Sequence, residues 1–407
     1  MKSMKKKITA VFSLFMALSL VFSVNAFAIN TQTPAYKAHL SFGEDGKFKL
    51  LQFCDIQDGL VMLPIVKDFI RDILPATKPD LVVLTGDNFS GGSCRTGVHA
   101  IDKLLVKNAI SQYMAVFESY GIPVAMVFGN HDAETTVNKE EQMTIYDSYA
   151  CSISHDEGSD IYGCGNYNVP IYASENSDEL LYNLWMIDSG MYDDVEGGLG
   201  GYDYVHQSQI DWYIRTSNEL KAQNNGLPVA SLMFQHIIVP DIFDALLPVE
   251  AGTPGAVGHG GNHYVLNPAN TKGGVMHETP CPPITNSGQF DAVVNQGDVV
   301  AMVFGHDHTN SFIVEHRGVD LIATPGITFA SYGDAGRGVR LFTLDKADLS
   351  TYEEHIVTYD ELYDGDETAA LRFTMYGREN STGDQILAGV RYLFKKSLSV
   401  FLGLLKA

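Results

Sequence analysis

The chain has 407 residues, 45% of them hydrophobic, and a formal charge of −22. That length suits one large α/β domain or two small ones around a substantial core. The acidity excludes a general attraction for nucleic acid or anionic lipid, so any bound phosphate must be held by a local positive centre, and metal ions are the obvious candidates.

The N-terminus reads MKSMKKKITAVFSLFMALSLVFSVNAFAIN. Four lysines precede an apolar run from Ile8 to Phe22, and small residues follow at Ala26 and Ala28. This is the pattern of a cleaved signal, residues 1–28, and the run is short for the ~20 residues of a membrane span. The expected destination is outside the cell, secreted or associated with its surface. Five cysteines are an odd number for an exported chain, so at least one stays unpaired. Cys151 and Cys164 flank a polar loop and are read equally well as a disulfide or as two thiols. Cys54, in an apolar strand, reads as a buried thiol.

Strand-like and helix-like segments then alternate. FKLLQFCDIQ (48–57) is a buried strand, LPIVKDFIRDIL a helix, PDLVVLTGDN a strand, and IDKLLVKNAISQYMAVFESYG a helix. IPVAMVFGNHD, LLYNLWMIDSG, LPVASLMFQHI and DVVAMVFGHDH continue the strands, with helices at NKEEQMTIYDSYA and SQIDWYIRTSNELKAQ. After residue 308, short alternating runs predict antiparallel strands. Residues 250–283, rich in Gly and Pro, predict a long structureless loop, a candidate lid. Residues 29–360 are expected to form the main domain and 361–407 an extension. Its DQILAGVRYLFKKSLSVFLGLLKA predicts a basic amphipathic helix, suited either to packing on the domain or a partner, or to peripheral membrane contact.

Five strand ends carry metal-binding residue types: Asp55 and Gln57 in CDIQDG, Asp87 in TGDN, Asn130 and His131 in GNHD, His236 in FQHI, and His306 and His308 in GHDH. Each end alone is an ordinary turn or a lone histidine. Together they predict one shared metal site, because ligands gather outside the carboxyl ends of strands in α/β sheets. Residues two apart share a strand face, which points Asp55 with Gln57, and His306 with His308, in common directions.

The order of these blocks resembles the calcineurin-like metallophosphoesterase superfamily, whose signature is D-x-H, G-D, G-N-H-[DE], a lone His and G-H-x-H. The resemblance spans roughly residues 46–360 and is nearest the branch of the plant inactive purple acid phosphatases and a yeast cell-cycle-regulator phosphatase. It implies an α/β (α+β) four-layer sandwich of two mixed β-sheets flanked by helices. Carried over, Asp87 bridges two divalent ions (Mn, Fe, Zn or Mg). Asp55, Gln57 and His308 complete one site, and Asn130, His236 and His306 the other. His131 faces the leaving group as general acid, with Asp132 orienting its ring. The implied activity is hydrolysis of phosphate esters by a metal-bridging hydroxide, monoesters ahead of diesters. The alternative is a degenerate, non-catalytic protein that binds phospho-ligands or partners.

Two positions depart from the pattern. Gln57 stands where the family has His and offers a neutral oxygen, a weaker donor for soft metals. Ser90 stands where purple acid phosphatases carry the tyrosine that gives their colour. Arg95 could pair with a phosphate, and His259 and His263 could contact substrate, but each is read first as a solvated loop residue.

Overall fold

A computed structural model describes residues 39–193 and 199–406, with side chains to residue 398. The expected signal segment, 1–28, lies outside the described residues. In chain order the strands are β1 (Lys47–Phe53), β2 (Leu81–Thr85), β3 (Val124–Val127), β4 (Tyr167–Tyr172), β5 (Leu180–Met186) and β6 (Ser231–Phe234). There follow β7 (Leu247–Val249), β8 (Val257–His259), β9 (Asn262–Val265), β10 (Thr271–Gly273), β11 (Val299–Phe304), β12 (Ile313–His316), β13 (Val319–Ala323), β14 (Gly338–Asp345) and β15 (Asp348–Thr358).

A five-stranded sheet has the order β15-β14-β1-β2-β3, and a seven-stranded sheet the order β10-β12-β13-β11-β6-β5-β4. The first holds parallel β1-β2-β3 with antiparallel β14 and β15 at one margin, and the second holds parallel β5-β6-β11-β13 with antiparallel strands at both margins. This is why the central runs are apolar on both faces while the segments after residue 308 alternate. Leu50, Leu81, Val83 and Val127 pack against Leu184, Leu232, Phe234 and Val303 in a core between the two sheets. The next residues along the strands, such as Leu51, Phe53 and Leu84, face the other way. There they meet α1 (Pro64–Thr77), α2 (His99–Tyr120) and α3 (Lys139–Tyr146). On the far side of the second sheet, Trp185, Met233, Met302 and Phe304 pack against α4 (Gln207–Gln223), the short turn α5 (Ile242–Ala245) and α6 (Gln289–Gln296). The expected α/β four-layer sandwich is the observed one.

Two expectations need correction. Residues 250–283 are not structureless: β8 and β9 join the preceding β7 in a small sheet of their own, and β10 pairs with β12 at the margin of the larger one. The boundary drawn at residue 360 does not hold either. After α7 (Tyr359–Leu362), helix α8 (Glu367–Tyr376) packs Phe373 against Phe329 and Tyr359, so it belongs to the body. The last helix is α9 (Thr382–Lys406). Of the two readings left open for Cys151 and Cys164 the unpaired one holds: all five cysteines are free thiols, and Cys54 is buried as expected.

Candidate metal centre

The parallel strands of both sheets point their carboxyl ends at one place. β1, β2 and β3 run into the segments carrying Asp55 and Gln57, Asp87, and Asn130 with His131; β6 and β11 run into His236 and into His306 with His308. The strands stop short of these residues, so alternation along a strand does not align them. Asp55, Gln57, Asp87 and His306 instead have φ of 50°, 38°, 47° and 74°, in the left-handed region that non-glycine residues rarely occupy. Backbone bonds between neighbouring loops hold them there: Asp55 N donates to Gly86 O (3.1 Å) and Gln57 N to Asp87 O (2.9 Å). The glycines of the motifs serve close approach. A Cβ on Gly86 would strike the His236 ring, and one on Gly129 would strike Asp87.

His236 is fully buried, and its Nδ1–H donates to Thr85 O at 3.0 Å. A carbonyl only accepts, so this bond fixes the tautomer and leaves Nε2 aimed inward. Nε2 meets Asp87 Oδ2 (3.4 Å), Asn130 Oδ1 (3.2 Å) and His306 Nδ1 (3.2 Å). The Asn130 amide is oriented by Nδ2, which donates to Tyr192 OH at 3.1 Å, so its oxygen is the inward end. Asp87, His236 and His306 place their ligand atoms within 4.8 Å of one another.

The second half is built alike. His308 Nδ1–H donates to Tyr332 O (3.0 Å), and Nε2 lies 3.4 Å from Asp55 Oδ1. Gln57 is buried, with Nε2 3.4 Å from Asp87 Oδ2. Asp55 Oδ1 and Gln57 Oε1 have no hydrogen-bond donor. A buried acceptor without a donor costs about 1–3 kcal/mol, and a cation would satisfy both. The donor set of carboxylates, imidazoles and amide oxygens fits divalent ions of the Mn, Fe, Zn or Mg kind.

The electrostatics carry the same demand. Burial would depress the His236 imidazole, but Asp87 outweighs it and raises the pKa to about 10. At His308 burial is likewise overcome by Asp55, to about 9. Burial and the neighbouring His236 push His306 down to about 3. In each half a carboxylate thus draws positive charge onto the neighbouring imidazole, a demand that a cation would meet.

His131 is reached differently. Its backbone N–H donates to Asp87 Oδ1 (2.8 Å), and its half-exposed ring lies with Nε2 4.0 Å from Asp87 Oδ2. The expected partner of that ring was Asp132. The structure corrects this. Asp132 is buried and accepts from Gly129 N (2.7 Å), Asn88 N (2.9 Å), Phe89 N (3.2 Å) and Asn88 Nδ2 (3.3 Å). Its carboxylate knits the β2 and β3 loops together. Burial, with the nearby Asp87 charge, raises its pKa to about 7 against those donors. Glu134 takes the orienting place, with Oε2 2.9 Å from His131 Nδ1. Tyr192 OH donates to the other Glu134 oxygen at 3.0 Å, so one chain of bonds runs from His131 through Glu134 and Tyr192 to Asn130.

Sequence reasoning did not find Glu134, Tyr192, Tyr332 or Glu278. Tyr332 stacks on His308 with ring centroids 4.2 Å apart, and its OH donates to Glu278 Oε2 (2.8 Å). Glu278, from the Gly/Pro-rich segment, also accepts from Thr309 N at 2.6 Å. Tyr202 stands edge-on to His306 at 4.4 Å. Glu134 alone left a sequence trace, three residues after His131. Asp58 is turned to the start of α1, where it accepts from Leu63 N (2.6 Å).

The calcineurin-like phosphoesterase family model matches residues 48–310, which contain every one of these ligand loops. The chain belongs to the calcineurin-like phosphoesterases. Among similar proteins, probable inactive purple acid phosphatase 14 of Arabidopsis thaliana is 29% identical over 330 residues, 74% of this chain and 75% of the relative. Phosphatase DCR2 of Saccharomyces cerevisiae is 27% identical over 314 residues, 72% of this chain and 48% of the yeast protein. A solved dimetal phosphatase from Danio rerio aligns with a TM-score of 0.44 and 14% identity, over 77% of this phosphoesterase and 99% of that chain.

Proposed function

We propose that this phosphoesterase is an exported hydrolase of phosphate esters, acting on monoesters ahead of diesters. The observation that carries the reading is the convergence of Asp87 Oδ2, Asn130 Oδ1, His236 Nε2 and His306 Nδ1, with two histidines fixed by carbonyls so that their free nitrogens face inward. Asp87, Asn130, His236 and His306 would hold one ion, and Asp55, Gln57 and His308, sharing Asp87, the other. Two such ions would supply Lewis acidity toward phosphate and toward water. The protein's own part is positioning and proton transfer. With Nδ1 held by Glu134, the His131 ring turns Nε2 toward the site, from which it would supply the proton for a departing alkoxide. Support for monoesters is the name phosphatase on the yeast relative, and support for export is the N-terminal pattern of charge, apolar run and small residues.

A second reading, a non-catalytic binder of phospho-ligands or partners, has its own support: Gln57 in place of the family histidine, and the word inactive in the plant relatives' names. One panel separates the two. Chelator-stripped protein is reloaded with Mn, Fe, Zn or Mg, and its metal content is measured beside its rates on p-nitrophenyl phosphate and bis(p-nitrophenyl) phosphate. Hydrolysis should return with both sites filled, faster on the monoester. Full metal loading without turnover of either ester would establish the binder.

A further inference from the structure

Helix α9 is turned the wrong way for a helix that only packs on a globular body. Its small and polar residues face inward: Ala388 is buried, a Cβ on Gly389 would touch the Met375 sulfur, and Gln385 Nε2 donates to Gly377 O at 2.8 Å. Its large apolar residues face out. Ile386, Leu387, Val390, Leu393 and Phe394 are 50–68% exposed, and Leu398 is 44% exposed. At about 3.6 residues per turn these six fall within an arc of roughly 140°. Scattered surface hydrophobics are ordinary, but a continuous stripe marks a surface that something covers.

The charges on the helix say what. The chain is strongly acidic, yet between Thr382 and Leu398 the helix carries Arg391, Lys395 and Lys396 against Asp384 alone. Lys395 pairs with Glu367 on α8. Arg391 and Lys396 are exposed and pair with no carboxylate among the described residues; Arg391 falls about 20° past one edge of the apolar arc and Lys396 about 60° past the other. We propose that α9 is a membrane-surface anchor. It lies in the plane of an anionic bilayer, its apolar stripe at the acyl boundary and Arg391 and Lys396 among anionic headgroups.

The body's acidity opposes a general attraction to such a surface, so the device must be local, and it is. A second copy of the chain fits less well. The arc is broader than the narrow seam along which two helices pair. No described helix is long and apolar enough to cross a membrane, so the helix lies on the bilayer and does not span it.

The test uses the full chain with vesicles of phosphatidylcholine, alone or with about 30% phosphatidylserine. Phe394→Trp reports on the helix itself, because Trp185 and Trp212 are buried. Its emission should shift to shorter wavelength with anionic vesicles and not with neutral ones. In the same protein, Arg391→Gln with Lys396→Gln should weaken that response about 30-fold, and high salt should act in the same direction. Leu393→Asp in that background should abolish it. An unshifted emission with anionic vesicles overturns the proposal. So does an equal shift with neutral vesicles. So does a concentration-dependent dimer that Leu393→Asp dissolves while vesicles leave the emission unchanged.

Discussion

Replacing Glu134 by Gln tests which carboxylate serves His131. Glu134 Oε2 lies 2.9 Å from His131 Nδ1, and it touches none of the residues assigned to the ions except through Tyr192. A hydrogen bond to a charged group contributes about 1.5–3 kcal/mol when sheltered. Both side chains here are about a third exposed, at 36% and 30%, so solvent screens the pair. About 1 kcal/mol remains, or about fivefold in rate. The loss should depend on the leaving group. An alkyl phosphate needs a proton delivered as its bond breaks, whereas p-nitrophenolate departs with little help. The assay is kcat for a series of alkyl and aryl monoesters on parent and variant, with metal content measured beside it. Alkyl esters should slow about fivefold, nitrophenyl esters less, with metal unchanged. An equal slowing across the series would refute the orienting role. So would an unaltered alkyl rate.

Asp132→Asn should behave in the opposite way, because four donors converge on that carboxylate and none belongs to His131. Stability should fall by about 2–3 kcal/mol, read from the urea midpoint, and a stable variant with selectively slowed alkyl esters would return the orienting role to Asp132. Gln57→His exchanges an amide for an imidazole at a buried position beside Asp87. Zinc or iron should then survive dialysis against chelator better than in the parent, and identical metal titrations would remove residue 57 from the ligand set. Asp102 gives a pH test away from the site. Burial would raise its carboxyl, but bonds from Thr96, Thr136 and Gly97 hold it down at about 2. The stabilisation is therefore complete above the ordinary carboxylate pKa of about 4 and is lost as pH falls toward 2. The stability gap between parent and Asp102→Asn should narrow across that window, and a constant gap would count against the assignment.

The sandwich and the ligand loops were legible because short apolar runs ended abruptly in GD, GN and GH, a local signal at each of several places. The reason for the alignment was not legible. Strand alternation suggested a shared face for Asp55 with Gln57 and for His306 with His308, whereas positive φ beyond the strand ends produces it. Tyr192, Tyr332 and Glu278 reach the site from loops far away in sequence, and nothing in their neighbourhoods marks them. The segment 250–283 read as loop because strands of three or four residues, among glycines, carry no periodicity to detect. The choice of Asp132 over Glu134 followed proximity in sequence, while Asp132 was drawn inward by backbone amides.

The carboxylates assigned to metal binding also fasten the loops to one another. Asp87 Oδ1 accepts from His131 N at 2.8 Å, and Asp55 Oδ2 accepts from His306 N at 3.0 Å across the two sheets. Both aspartates therefore keep the strand tips in place whether or not substrate is turned over. Gln57 carries no such backbone latch; its side chain has one contact, 3.4 Å from Asp87. The side chain at position 57 can thus be exchanged without unfastening a loop.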